Sequence, residues 1–289
     1  MAWKGETTIL IYLVTLAIYA FSAWQLTVKG YPVFIRQGWL CPNYRGEPIV
    51  QGFGIYFFIH YLLFIVMIKG IAFVWPNSLP ALPYEAVVFS FILSSLSVMG
   101  WIDDHWGNRL IKGLKGHLLL FLKKGKITTG LAKAVLGLML ALLVSRPLSA
   151  SFWNWMLFIL AMVFSIHTFN LLDVRPGRAI KSYWLFTLSL LPFFSQPSLY
   201  YLYTPSLVTT LILFQYDRRR LAMLGDAGSL TLGGIFGYQL ILDAPHALII
   251  LWTLFFLFIT ILAETTSLTE VIKKRAWLNR LDHWGIIND

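Results

Sequence analysis

Cysteine is nearly absent, charge is scarce, and acidic residues are scarcer still. A single cysteine, Cys41, excludes a disulfide framework and any metal site built from several thiolates. Only 12% of the 289 residues are charged, against about 25% in ordinary soluble domains. With 58% hydrophobic and 16% aromatic residues and a mean hydropathy of +0.70, too little polar surface remains to cover a soluble core of this size. A water-soluble enzyme, a disordered chain and a fibrous protein are excluded. No low-complexity segment or soluble appendage interrupts the chain, and its length suits one compact unit spanning 1–289.

What the chain does have is long apolar runs. A helix needs about 20 apolar residues to cross the hydrocarbon core. Nine stretches are candidates: 8–28, 53–74, 84–102, 131–148, 152–172, 179–195, 199–215, 224–242 and 246–264. The expected fold is therefore all-α, a polytopic integral membrane bundle of about nine transmembrane helices. The sixth and seventh runs are joined by Ser195–Ser198, a tight antiparallel turn, and the eighth is rich in glycine, which lets helices approach closely. The first run lacks a basic leader and a small-residue cleavage site, so it is expected to be a retained span.

Lysine and arginine then set the orientation. With nine spans, the loops around 29–52, 103–130, 173–181 and 216–220 and the tail 265–289 share one side and hold nearly all the basic residues, whereas the other side offers Lys4, Arg146 and Lys69. Basic loops stay cytoplasmic. The amino terminus is expected outside, the carboxyl terminus in the cytoplasm, and the protein in the plasma membrane as a multi-pass chain. The net charge of +10 is then explained by anionic lipid headgroups, and no aromatic-interleaved basic module points to nucleic acid. Two segments mix basic and apolar residues and are expected to lie along the cytoplasmic interface: 109–126 within the loop 103–130, and the amphipathic tail 265–289.

The thirteen acids are the informative residues, because charge near membrane depth is costly unless pairing or function retains it. Five fall at helix ends on the cytoplasmic side: Asp103, Asp104, Asp173, Asp217 and Asp226. A lone acid such as Asp217 is most simply a solvated cap. Asp103 and Asp104 are adjacent, so their side chains diverge and can serve different partners. Asp226 stands between Gly225 and Gly228 at a helix start, where backbone N–H groups favour an anion. Carboxylates with backbone donors on one face suggest a magnesium–phosphate site, since Mg²⁺ takes one or two carboxylates and completes its shell with water and phosphate oxygens. The six histidines show no metal-ligand spacing, which argues against zinc or iron.

Three segments in this order resemble the polyprenyl-phosphate N-acetylhexosamine-1-phosphate transferases. Asp103-Asp104-His105-Trp106-Gly107 is similar to the family's first acidic motif, Asn170-Leu171-Leu172-Asp173 to its asparagine–aspartate motif, and Leu224-Gly225-Asp226-Ala227-Gly228-Ser229 to its magnesium motif. Asn43-Tyr44-Arg45-Gly46-Glu47-Pro48 resembles the loop after the first span. The likeness runs from about residue 40 to 264. It departs where the family usually continues Asp-Gly-x-Asp-Gly, since here Asp173 is followed by Val174-Arg175-Pro176-Gly177-Arg178, and where the family carries a histidine-rich loop, since only His283 stands in that region.

The resemblance implies transfer of a sugar-1-phosphate from a UDP-sugar to polyprenyl (undecaprenyl) phosphate, with release of UMP, to start a cell-envelope glycopolymer. It implies catalytic Asp103 and Asp104, Mg²⁺ on Asp226 and Asp103, and substrate contacts from Asn170, Asp173, Gly225, Gly228, Asn43 and Arg45. Arg175 and Arg178 are expected either to grip the donor diphosphate or to meet lipid headgroups. Direct attack by the lipid phosphate and a covalent aspartyl intermediate both remain open. The alternative from another class is a non-catalytic relative that binds lipid phosphate or a partner enzyme. A transporter fits less well, because the acids gather at helix ends rather than at the midplane. The sugar, the polymer and self-association as a homodimer are left open by the sequence.

Overall fold

The computed structural model describes residues 6–76, 78–107 and 120–287. It is nearly all-α. Helices α1 (Glu6–Arg36), α2 (Tyr56–Val74), α3 (Tyr84–Trp106), α4 (Thr129–Ser145), α5 (Phe152–Leu172), α6 (Arg178–Leu188), α7 (Thr204–Asp217), α8 (Gly225–Asp243) and α9 (His246–Thr265) are followed by the short α10 (Leu268–Lys274) and α11 (Ala276–His283). Among the described residues, five helical stretches are long and apolar enough to cross a membrane: Glu6–Arg36, Phe53–Val74, Tyr84–Trp106, Phe152–Leu172 and His246–Thr265. Most of the expected interfacial segment 109–126 lies outside the described residues.

The other expected spans are helical but shorter or more polar. α4 is apolar with 17 residues. The run 179–195 breaks at Leu188, where Pro192 sits in a 3-10 turn over Leu191–Phe193. A proline lacks the N–H that a continuing helix needs. Chain direction then reverses through Ser195, whose hydroxyl accepts the Ser198 N–H at 3.3 Å, and a π turn over Leu199–Tyr203 leads into α7.

α8 is the axis of the fold. Nearly all of it is buried, from Ala227 to Ile241, and it packs on α3 and α5. Its glycines permit this. A Cβ on Gly233 would stand 2.5 Å from the Ile166 Cα of α5, so any side chain there would push the two helices apart.

Before α2, the strands β1 (Leu40–Pro42) and β2 (Pro48–Val50) form an antiparallel hairpin in which Cys41 faces Ile49. Asn43 organises its turn: Oδ1 accepts the N–H groups of Arg45 at 2.8 Å and Glu47 at 3.1 Å. The hairpin is stitched to the strand-like segment before α8, with Met223 N–H donating to Val50 O at 2.9 Å and Gly54 N–H to Leu224 O at 3.0 Å. A Cβ on Gly54 would collide with the Gly228 backbone. The start of α8 is thereby pinned between the hairpin and the end of α3.

Candidate functional site

The acids that the sequence places at separate helix ends meet at one end of the bundle. Asp103 and Asp104 close α3, Asp173 caps α5, Asp217 closes α7, and Asp226 opens α8. Asp103 and Asp104 diverge, as adjacent helical positions must.

Asp104 turns toward α8. Its Oδ1 accepts the Asp226 N–H at 2.9 Å and the Gln51 side-chain amide at 3.2 Å, while Oδ2 accepts the Ala227 N–H at 3.0 Å. The anion at this helix amino terminus is therefore the protein's own carboxylate, satisfying donors that the helix leaves open. This geometry assigns Asp104 to positioning Asp226. Gly225 makes room for it: its φ is +66°, and a Cβ there would touch the Asp104 carboxylate. Gly228 does the same for Gly54, so both glycines have a packing reason beside the expected substrate contact.

Asp103 turns the other way. Its Oδ2 accepts from Lys133 Nζ at 2.6 Å, and the same ammonium is paired with Asp226 Oδ2. Two carboxylates from motifs far apart in sequence thus converge on one cation. Lys133 was not foreseen. Its signal was available in the sequence as a lone lysine in the first turns of the apolar run 131–148, a place where an ionised group is retained for pairing or function.

Asn170 faces α8 from α5, its Oδ1 accepting the Ser229 hydroxyl at 3.4 Å. Asp173, although partly open to solvent, has its pKa pushed well above the usual carboxylate range, first by burial and then by the charges of Asp217, Asp104 and Asp226, with the Gly225 N–H opposing. Asp217 is 5% exposed, which rules out a solvated cap. Burial raises its pKa to about 7, against the Gly177 N–H that donates to Oδ2 at 2.8 Å and the charge of Lys181.

The two arginines expected either to grip a diphosphate or to meet lipid headgroups have separate settings. Arg178 is 4% exposed and forks onto Asp282, Nε to Oδ1 at 2.7 Å and Nη2 to Oδ2 at 2.8 Å, with Nη1 donating to Thr269 at 3.2 Å. Burial would raise the Asp282 pKa, but the hydrogen bonds and charge of Arg178 prevail and hold it below the ordinary value. Arg175 stands over the Tyr44 ring at 4.2 Å, with no carboxylate partner among the described residues. Arg45 lies 5.7 Å from the same ring, and Asn43 is engaged in its own turn. Beside the acids, a pocket of about 200 Å³ is lined by Gly38, Trp39, Leu40, Gln51, Asp104, His105 and Trp106.

No protein-family model matches this chain, and no curated protein matches it significantly. Among the described residues, no group of three or more His, Cys, Asp or Glu side chains is arranged to hold a metal alone. Two carboxylates meeting on a single ammonium still fit Mg²⁺, which needs only one or two protein carboxylates when phosphate oxygens and water complete its octahedron. Asp103 and Asp226 are the residues that would hold it.

Proposed function

We propose that the protein is a multi-pass plasma-membrane transferase with nine spans and its acidic site on the cytoplasmic face. It moves a sugar-1-phosphate from a UDP-sugar to polyprenyl phosphate. The observation that carries this reading is the convergence of Asp103, Asp226 and Lys133 from three helices at the end of the bundle. That end is also the one rich in lysine and arginine, which supports a cytoplasmic assignment.

The chemistry needs little covalent participation from the protein. An oxygen of the lipid phosphate attacks the sugar-bound phosphorus of the diphosphate; the bond to the UMP oxygen breaks, and UMP leaves. A phosphomonoester has a second pKa near 6, so the acceptor is largely ionised at neutral pH and requires no strong base. Positioning and charge stabilisation then dominate the rate. When bound, magnesium would neutralise diphosphate charge. Lys133 supplies a mobile ammonium between the acid pair and the substrate. Asp104 holds the backbone of Asp226 in place, and Arg175 offers a guanidinium for the donor. Asp104 already accepts three N–H bonds, which favours direct attack over an intermediate on that residue.

A second reading, a non-catalytic protein that binds lipid phosphate or a partner enzyme, draws on one observation: the acid pair and Arg178 are all satisfied from within the chain. UMP release separates the two. Proteoliposomes with undecaprenyl phosphate and magnesium should release UMP from UDP-N-acetylglucosamine or from UDP-MurNAc-pentapeptide, and Asp226→Asn should abolish it. Release from neither donor, with lipid binding intact, selects the second reading, and activity surviving in Asp226→Asn removes the metal assignment.

A further inference from the structure

The segment after α9 has a face that none of the contacts above uses. At about 100° per residue, α11 divides into three sides. Leu278 and Asp282 lie on the side toward the protein, where Asp282 meets Arg178. Trp277 and Leu281, spaced as i and i+4, form a second side that Trp284, directly after the helix, extends; the three are 64%, 47% and 62% exposed. Asn279 and His283 make the third.

Basic residues border the apolar stripe. Lys273, Lys274, Arg275 and Arg280 are all exposed. Among the described residues of the segment, Glu270 pairs with Lys273 at 3.3 Å and Asp282 is already held by Arg178, so the stripe keeps a positive border. Tryptophans flanked by exposed basic groups match the boundary of an anionic bilayer, where indole rings sit at headgroup level and ammonium groups meet lipid phosphates. Position agrees: the segment continues from the end of α9, a helix long enough to cross the membrane.

The inward side reaches the site. Lys181 Nζ donates to the carbonyls of Leu281, Asp282 and Trp284 at 2.9, 2.5 and 3.0 Å. The Ile287 N–H donates to Arg218 O at 3.2 Å. Gly177, whose N–H is bound to Asp217, precedes Arg178 directly. One helix therefore presents tryptophans outward and fastens the 173–178 loop inward.

We propose that α11 and the Trp284 that follows it dock on anionic phospholipid through Trp277, Leu281 and Trp284, and that this docking keeps Asp282 seated on Arg178, so that membrane charge sets how firmly the 173–178 loop closes over Asp217. The inference stands apart from the transferase reading, since it requires neither a sugar nucleotide nor a lipid phosphate acceptor.

The test uses the full chain with Cys41→Ala, spin-labelled in turn through Trp277→Cys, Trp284→Cys, Asn279→Cys and His283→Cys. Each is reconstituted in phosphatidylcholine with or without phosphatidylglycerol. In the anionic vesicles, labels at 277 and 284 should be reached by oxygen in preference to a water-soluble nickel chelate, and labels at 279 and 283 the reverse. Lys274→Gln, at an exposed side chain outside the Arg178 contacts, should lower the docking equilibrium constant about fivefold, the weight of one basic residue at an anionic surface. Amide exchange across 173–178 should slow when phosphatidylglycerol is present in the parent, and less so in Lys274→Gln. Labels at 277 and 284 as open to nickel as those at 279 and 283, in both lipids, overturn the docking. Exchange indifferent to lipid charge overturns its link to the loop.

Discussion

Asp104 holds Asp226 by its backbone: the Asp104 carboxylate accepts the Asp226 N–H at 2.9 Å and the next N–H, that of Ala227, at 3.0 Å. One residue of the adjacent acid pair thus builds the helix start, while the other shares Lys133 with Asp226. Asp104→Asn keeps the size but offers one acceptor where two N–H groups need partners, and turns its own amide toward a donor. Loss of a helix-capping carboxylate costs about 1–2 kcal/mol. A lower unfolding midpoint in detergent is expected, and a midpoint equal to the parent's would remove the capping role.

Lys133 balances two carboxylates. In Lys133→Gln that charge is gone, and Asp103 and Asp226 are left facing one another. Divalent magnesium should then stabilise the variant more than the parent, since a ligand that binds only the folded state adds about 2.7 kcal/mol at a hundred times its Kd. UMP release should fall about a hundredfold, as for other preorganised donors of charge stabilisation. Melting curves across a magnesium series decide the first point; identical shifts in both proteins would mean that the acid pair does not take the metal.

Arg175 and Arg178 should separate under the same substitution. Lysine cannot copy a two-pronged guanidinium. Arg178→Lys is expected to loosen α11 and speed chymotryptic cleavage at Trp277 and Trp284. Arg175→Lys should leave cleavage unchanged while weakening UDP-sugar binding about tenfold, or 1.4 kcal/mol. Titration at fixed magnesium and salt checks the second expectation, and equal donor affinity would return Arg175 to the Tyr44 ring or to lipid headgroups.

Asp217 predicts a pH dependence. Burial raises its folded pKa to about 7, above the ordinary value of about 4 in an unfolded chain. The neutral form is the one the fold prefers, so its contribution is fully present below about pH 4 and is lost as pH rises through about 7. Asp217→Asn keeps an acceptor for the Gly177 N–H and cannot ionise. Its melting temperature should change less between pH 5 and 8 than the parent's, with the gain growing toward pH 8. A parent profile as flat as the variant's would contradict the buried neutral carboxyl.

The apolar runs were legible because hydropathy is local: each helix needs only its own composition to be recognised. The break after Leu188 was less so, since an apolar run continues through the Pro192 that ends the helix. The three acidic segments were legible too, as acids beside glycine or asparagine at helix ends. Their convergence was expected, but the division of labour within Asp103–Asp104 was not visible, because it depends on which neighbour each side of α3 meets.

Composition and periodicity by themselves determined that this chain is helical, apolar enough for a membrane, basic at one set of loops and acidic at few points. Tertiary structure decided who pairs with whom. Lys133 finds Asp226 at 93 positions' separation, Arg178 finds Asp282 at 104 and Asp104 finds the Asp226 N–H at 122. Charge pairing acts over a few ångströms in space and is indifferent to distance along the chain, so only tertiary packing brings those partners within reach: α8 against α3, allowed by its glycines, for Asp104 and Asp226, and the return of α11 onto α6 for Arg178 and Asp282.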